Sequence, residues 1–390
     1  MKRLTAVLAV VLASLMLFSA CKTTVNEEKK DSTTTETQTE ENKDTTEENK
    51  DTTEANSEIS EEEAWKKEPA YGKPVKIGYN GGLCTGAPGI ADALGMFKKQ
   101  GLDVELVKMD GTVGTVDAVG TGKVDMVTNH ISAMVVPATN GINMVFKKGV
   151  QTGCKSLYVL KDGPIKNTKD LVGKSVGLPN GIGNSDHNIA IRFMNHDGIN
   201  PNEIVWKPVE SSASILALQN GEIDSVILSD QFAEKFMNDG TLAVIRSLTW
   251  DDDFKKEPCC IYAFNKDFNE QNPITAKKMT AALFEVSDYI AHNVKEATQV
   301  LFDNNWASGD FDQAVRMMES YDWQCSNDMT EKTLKDILDD YKKFNIVTNE
   351  KSSDELLSEL WSPEDFKHDN EYNCERRNSL SFFDFIFMEC

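Results

Sequence analysis

Cysteine is the residue type here with the most chemistry to offer. Eight occur in 390 residues, as Cys21, Cys84, Cys154, Cys259, Cys260, Cys325, Cys374 and Cys390. Thiolates select soft cations such as copper(I) or zinc, and a thiol-lined site also suits a sulfur-containing solute. The same residues serve equally well as buried free thiols, which behave as small hydrophobes, or as a disulfide between Cys154 and one of the Cys259-Cys260 pair. No Cys-x-x-Cys spacing occurs among them. His130 follows an apolar run and either completes a thiolate set or acts as a hydrogen-bonding group. A second kind of chemistry comes from two glycine-rich segments, Asn80-Gly-Gly-Leu-Cys-Thr-Gly-Ala87 and Pro179-Asn-Gly-Ile-Gly-Asn-Ser-Asp186. Their glycines let backbone N–H groups approach an anion at a helix start, although a plain strand-to-helix turn has the same composition. His-Glu-x-x-His, Gly-x-Ser-x-Gly and the phosphate-binding Lys loop are all absent, which removes the common signatures of metalloprotease, hydrolase and nucleotide chemistry.

The elements that position these residues read as strands alternating with helices. Val75, Ile77 and Tyr79 alternate as a strand. Pro88 then opens a helix of about three turns carrying Ile90, Leu94 and Phe97, and Gly101 ends it. Val104 to Val107 forms the next strand, residues near Thr112 to Thr121 a short helix, and Val124 to Thr128 a third strand. Such βαβ units imply a sheet covered on both faces, with ligands outside the carboxyl ends of its strands. Gly82, Cys84, Thr85, Asn129, His130 and Ser132 fall there. The pattern repeats further on, with strands at Ser175 to Leu178, Ile204 to Val209, Ser225 to Leu228 and Leu242 to Ser247. This places Gly181, Gly183, Asn184 and Ser185 after one strand and Asp230 and Gln231 after another, where the last two either contact ligand or cap a helix. Gly149 to Leu160 reads as a first crossing between two lobes and Glu257 to Phe264 as the return. Arg192 lies one or two turns into its helix and is expected to point away from the site. Met279, Leu283, Val286 and Ile290, and later Leu334, Ile337, Leu338 and Tyr341, form apolar helix faces that belong to the core.

Four runs carry a family resemblance: Ala93-Leu-Gly-Met-Phe-Lys-Lys-Gln-Gly-Leu-Asp-Val-Glu-Leu-Val107, Asp117-Ala-Val-Gly-Thr-Gly-Lys-Val-Asp125, Asp170-Leu-Val-Gly-Lys-Ser-Val-Gly-Leu178 and Ala217-Leu-Gln-Asn-Gly-Glu-Ile-Asp224. In this order, over roughly residues 74 to 360, the chain resembles the solute-binding lipoproteins of bacterial ABC importers for sulfonates, nitrate and thiamine-type pyrimidines. The resemblance implies an α/β, two-lobed periplasmic-binding-protein-like fold (type II), with parallel-rich sheets flanked by helices and two hinge crossings. It implies residues 71–153 and 262–362 as one lobe and 154–261 as the other. The glycine loop at Gly181 to Ser185 then forms half of a ligand cleft. It further implies a small-molecule solute, an ABC permease partner, a monomer, no catalytic residue and no cofactor. The same fold is shared by a pyrimidine synthase whose cysteine-rich segment resembles Pro258-Cys-Cys-Ile261, so an enzyme is one rival reading and a solute sensor another. On this fold Cys84, Cys154, Cys259 and Cys260 all come to the rim or hinge of the cleft, with His130 near them. That makes them candidate metal ligands.

The chain ends are read separately. Met1-Lys-Arg followed by apolar Leu4 to Phe18 is an export signal too short to span a bilayer, and Ser19-Ala-Cys21 is the pattern at which lipoproteins are cut and acylated, giving 1–20 as signal peptide and Cys21 as anchor. Residues 21–70 read as a disordered acidic tether. From Lys22 to Ala64 it holds 15 acidic and 5 basic residues, so it carries ten of the 22 excess negative charges. About forty flexible residues span roughly 35 Å, enough to hold a globular head off the outer face of the cell membrane. With the acid excess in the tether and no basic patch elsewhere, nucleic acid is excluded as a partner. Residues 363–390, with Phe382-Phe383-Asp-Phe-Ile-Phe-Met388, are an atypical tail outside the resemblance.

Overall fold

The computed structural model describes residues 60–109 and 111–366. The export signal, Cys21, most of the tether, and Cys374 and Cys390 lie outside them. Ten strands occur in the described residues: β1 (Val75–Tyr79), β2 (Val104–Lys108), β3 (Met126–His130), β4 (Met144–Gly149), β5 (Lys155–Leu160), β6 (Ser175–Leu178), β7 (Val205–Pro208), β8 (Ser225–Ser229), β9 (Leu242–Ser247) and β10 (Cys260–Asn265). They build two five-stranded sheets, ordered β2-β1-β3-β10-β4 and β7-β6-β8-β5-β9. Both are flanked by helices, which makes this a two-lobed α/β fold.

The sheets are more evenly mixed than the sequence suggests. Within each, two pairings are parallel (β1 with β2 and β3; β6 with β7 and β8) and two antiparallel (β10 with β3 and β4; β5 with β8 and β9). The antiparallel member is the strand that enters or returns from a crossing. Residues 260–264, read as crossing from sequence, are mostly this returning strand, and Tyr262, Ala263 and Phe264 are fully buried in it.

Four other expectations are corrected. The single helix after Pro88 is two, Ala87–Ala93 and Met96–Lys99, because Gly95 adopts φ 70° between them. Leu94, which the spacing placed on the buried face, is among the exposed hydrophobic residues. The tether stops short of residue 70: a short helix, Glu61–Trp65, packs against the lobe. Trp65 is buried there with its indole N–H on Thr275, and the Glu68 carboxylate accepts from the N–H groups of Ile274 and Thr275 at the start of the helix Pro273–His292. At the other end, packing continues past 362. The Glu364 carboxylate pairs with buried Lys147 at 2.6 Å, and Phe366 packs edge-on against Phe284. Cys325 lies in the loop before the helix Asn327–Lys343.

Arg192 ties the lobes together. Its guanidinium donates to both Glu257 oxygens at 2.6 and 3.1 Å and to Asp340 at 2.8 Å, so one buried cation joins a helix of the second lobe to the return crossing and to a helix beside the first sheet. Among the described residues no helix is long and apolar enough to cross a membrane.

Arg192→Leu is expected to lower unfolding free energy by about 3–5 kcal/mol, because two carboxylates are left without their cation, and urea denaturation reads this directly. Burial works against the Asp340 carboxylate, but its contacts with His196 and Arg192 outweigh that and hold its pKa below the usual range. Its stabilising contribution is therefore complete above the unfolded value near 4 and is lost as pH falls through the lower folded one. Acid titration of wild type against Asp340→Asn should show the wild type losing the larger amount.

Candidate binding site at the lobe crossings

The two crossings run beside one another as a short antiparallel ribbon. The N–H of Cys259 donates to the Gln151 carbonyl at 2.7 Å, that of Val150 donates to the Cys260 carbonyl at 2.9 Å, and Thr152 pairs with Pro258. β10 is antiparallel to β3, so Cys260 lies in register with His130, the last residue of β3. β5 is antiparallel to β8, so Lys155 lies in register with Ser229, and the next N–H, of Asp230, donates to the Cys154 carbonyl at 3.0 Å. The crossings thus stand at the carboxyl ends of the parallel strands of both sheets, where ligand crevices form in such folds.

Four side chains meet there. The Nδ1 of His130 and the Sγ atoms of Cys154, Cys259 and Cys260 all lie within 4.8 Å of one another. Cys154 and Cys259 are 2.9 Å apart, and His130 Nδ1 is 3.3 Å from Cys259, 3.6 Å from Cys260 and 3.7 Å from Cys154. The three cysteines are buried, while His130 is half-buried. Cys84, in the loop after β1, contacts the Cys154 and Cys260 thiols and is also half-buried. All of these cysteines are free thiols in the structure. The hydrogen bonds that Cys154, Cys259 and Cys84 direct at Cys260 pull its pKa well down, whereas burial and the same neighbours push Cys154 well up.

Cys154 is held in an unusual backbone conformation, with φ 102°. Such a position costs a residue with a side chain about 1–3 kcal/mol, and glycine would take it freely. The strained residue is fixed by its own N–H on the Thr249 hydroxyl at 2.9 Å as well as by the Asp230 contact. Asp230 is fully buried and accepts from Tyr158 at 2.6 Å and from the Thr249 hydroxyl. It therefore supports the crossing. The helix cap, one of the two roles open to Asp230 and Gln231 from sequence, comes from Ser229, whose hydroxyl accepts from the Phe232 N–H, and Gln231 offers its carbonyl to Gln313.

Lys155 and Asp186 form a buried ion pair beside the thiols, and neither was assigned a role from sequence. Burial opposes the Lys155 charge, but Asp186 outweighs it and raises the pKa, and the nearby Cys154 and Cys259 act in the same direction. A fixed cation therefore stands close to the site. Asp186 also accepts from the Asn180 N–H at 2.7 Å, and the Gly183 N–H donates to His187. Two donors of the glycine loop thus serve the protein's own side chains. Gly181 and Gly183 have φ of 82° and 80° with open space around them, Asn184 caps the helix Ser185–His196, and Ser185 is buried under Asn180.

A cavity of about 140 Å³ opens at the ends of β1 and β3, lined by Tyr79, Asn80, Thr85, Thr115, Thr128 and Asn129 among others. None of these lining residues carries a charge at neutral pH. Thr128 Oγ1 has no hydrogen-bond partner among the described residues. The loop that supplies Thr85 is pinned where Gly82 donates to the Trp306 carbonyl at 2.7 Å, and Gly81 has φ 73° with no room for a Cβ, which would stand 2.5 Å from that carbonyl oxygen. Ser132 sits beyond the cavity, with its carbonyl accepting from Asn188 and Tyr341. Sequence reasoning missed Lys155, Asp186, Thr249 and Tyr158, because a buried pair 31 residues apart leaves no periodic signal.

Two α/β lobes joined by paired crossings give the chain the fold class of two-lobed periplasmic binding proteins. Solved structures of that class superpose on the chain. The alkanesulfonate-binding protein SsuA of Xanthomonas axonopodis pv. citri is 12% identical with TM-score 0.61, covering 76% of this chain and 99% of its own. SsuA of Escherichia coli is 16% identical with TM-score 0.61, covering 75% and 94%. The nitrate-binding protein NrtA of Synechocystis PCC 6803 is 16% identical with TM-score 0.59, covering 74% and 85%. At these identities the likeness concerns the fold. The NMT1/THI5-like family model matches residues 89–297, and the chain belongs to that family. No curated protein is significantly similar to it in sequence.

The strain at Cys154 gives a direct test. Cys154→Gly should be more stable than Cys154→Ala by about 1 kcal/mol in equilibrium denaturation, since both lose the thiol and only glycine accepts the backbone angle without cost. Equal stabilities would show that the angle carries no strain.

Proposed function

We propose that this protein is an extracytoplasmic solute-binding lipoprotein, anchored through Cys21 to the outer face of the cell membrane, which captures one small solute and delivers it to an ABC permease. In this reading residues 154–261 form one lobe, residues 71–153 and 262–362 the other, and the chain acts as a monomer without catalysis. The observation that carries the proposal is the polar cavity at the carboxyl ends of β1 and β3, immediately beside paired crossings about which two lobes can close. Its neutral lining of hydroxyls and amides favours a solute held by hydrogen bonds: a sulfonate, a nitrate-like anion or a thiamine-type pyrimidine. Its size suits a solute of few atoms, since sites for drug-sized ligands run to about 300–1,000 Å³. The residues we assign to the ligand are Thr85, Asn129 and the backbone near Gly82 from the first lobe, with Gly181 to Ser185 as the second lobe's contribution on closure.

Calorimetry against these three compound classes should find one binder whose affinity changes less than about threefold between low and high salt, as expected where no lone ionic contact dominates. X-ray scattering with that compound should show compaction, and the compound should be recovered unchanged. Chemical turnover, or exclusive binding of a cation by the cavity, would overturn the reading. Cys21→Ala should move the protein from the membrane fraction to the medium or periplasm; retention in the membrane would remove the anchor from the proposal.

A further inference from the structure

The four converging side chains at the crossings have a donor chemistry that the solute cavity does not use. We infer that His130, Cys154, Cys259 and Cys260 form a binding site for one thiophilic metal ion, zinc(II) or copper(I), with Cys84 as a further thiol within reach. Three sulfurs and an imidazole nitrogen are the ligands that soft and borderline cations prefer, and magnesium or calcium would need oxygen donors, of which the cluster has none. A tetrahedral zinc with bonds near 2.0–2.3 Å separates its donors by about 3.7 Å. The observed separations of 3.3, 3.6 and 3.7 Å from His130 to the three sulfurs already lie near that value. The close Cys154–Cys259 pair, at 2.9 Å, has to open by somewhat under 1 Å.

The donors are held by backbone and not left to chance. Cys259 and Cys260 are fixed by hydrogen bonds to the first crossing, Cys154 by Thr249 and Asp230, and the Cys259 carbonyl accepts from the Ile131 N–H beside His130. A preorganised set of this kind loses little freedom on loading. The three cysteines of the set are buried, while His130 and the neighbouring Cys84 are only half-buried, so the cluster is not sealed from solvent on every side. Two bland alternatives are thiols acting as apolar filler and a Cys154–Cys259 disulfide. Mutual contacts among the thiols and with an imidazole are polar, which disfavours the first, and the second leaves Cys260 and His130 without a shared role.

The test uses the full chain purified without oxygen, reduced and then stripped with a chelator. Zinc(II), copper(I) and cobalt(II) are titrated separately against a chromophoric competitor, with cobalt supplying a thiolate charge-transfer band in the near ultraviolet. One ion per chain, bound at least on the order of a hundredfold more weakly by Cys259→Ser and by His130→Asn, is expected. Cys325→Ser, outside the cluster, should bind as wild type does. His130→Asn alters a half-buried residue and keeps the test open if Cys259→Ser fails to fold by circular dichroism. The inference is overturned if the reduced wild type holds no ion. It is equally overturned if both variants hold it unchanged, or if thiol counting and mass show a native Cys154–Cys259 disulfide. A chain that closes on a solute but binds no metal overturns this inference alone. One that binds metal but closes on no solute supports it while removing the transport reading.

Discussion

The antiparallel pairing of the two crossings is the constraint on which the rest of the molecule depends. Two backbone hydrogen bonds, from Cys259 to Gln151 and from Val150 to Cys260, hold residues more than a hundred positions apart in fixed register. Because β5 and β10 continue from that ribbon into opposite sheets, the same register decides how both lobes are oriented at their carboxyl ends. An open parallel sheet needs a helix between neighbouring strands, so a chain that must pass between two such sheets and return can insert its crossing strands antiparallel at little cost. The consequence is that the crossings, the strand ends and the thiols share one small region.

Around the ribbon, buried charge is paired across elements. Arg192 meets Glu257 and Asp340, Lys155 meets Asp186, and Lys147 meets Glu364. Replacing such pairs by apolar residues need not cost stability, but separating the partners does. They therefore favour one arrangement of the packed elements over its alternatives. Glu257 is one residue before Pro258 in the ribbon, so the Arg192 network and the thiol cluster are anchored to the same stretch of backbone. The cost of that arrangement is visible at Cys154, which keeps a side chain at a positive φ where glycine would be relaxed.

Much of the architecture was legible in the sequence because it rests on local rules. Strand alternation and the apolar faces of the helices Pro273–His292 and Asn327–Lys343 are set by residues within a few positions of one another. Errors arose where a local rule was ambiguous. Ile90, Leu94 and Phe97 keep helical spacing, yet Gly95 takes the left-handed conformation and turns Leu94 outward. Trp65 sits in an acidic stretch that composition assigns to solvent, and only its docking on Thr275 shows that it belongs to the packed lobe.

The sequence by itself determined that the chain has alternating strands and helices in two sets, glycine-rich turns after particular strands, and cysteines at both crossings. These follow from side-chain size, periodicity and backbone freedom, which act over short range. Only the tertiary structure decided that Cys154, Cys259, Cys260 and His130 touch, that Lys155 is neutralised by Asp186, and that Asp230 holds the crossing. Apart from the adjacent Cys259 and Cys260, those contacts join residues from 24 to 130 positions apart. A separation of that kind is set by strand register and crossing geometry, which no single segment encodes.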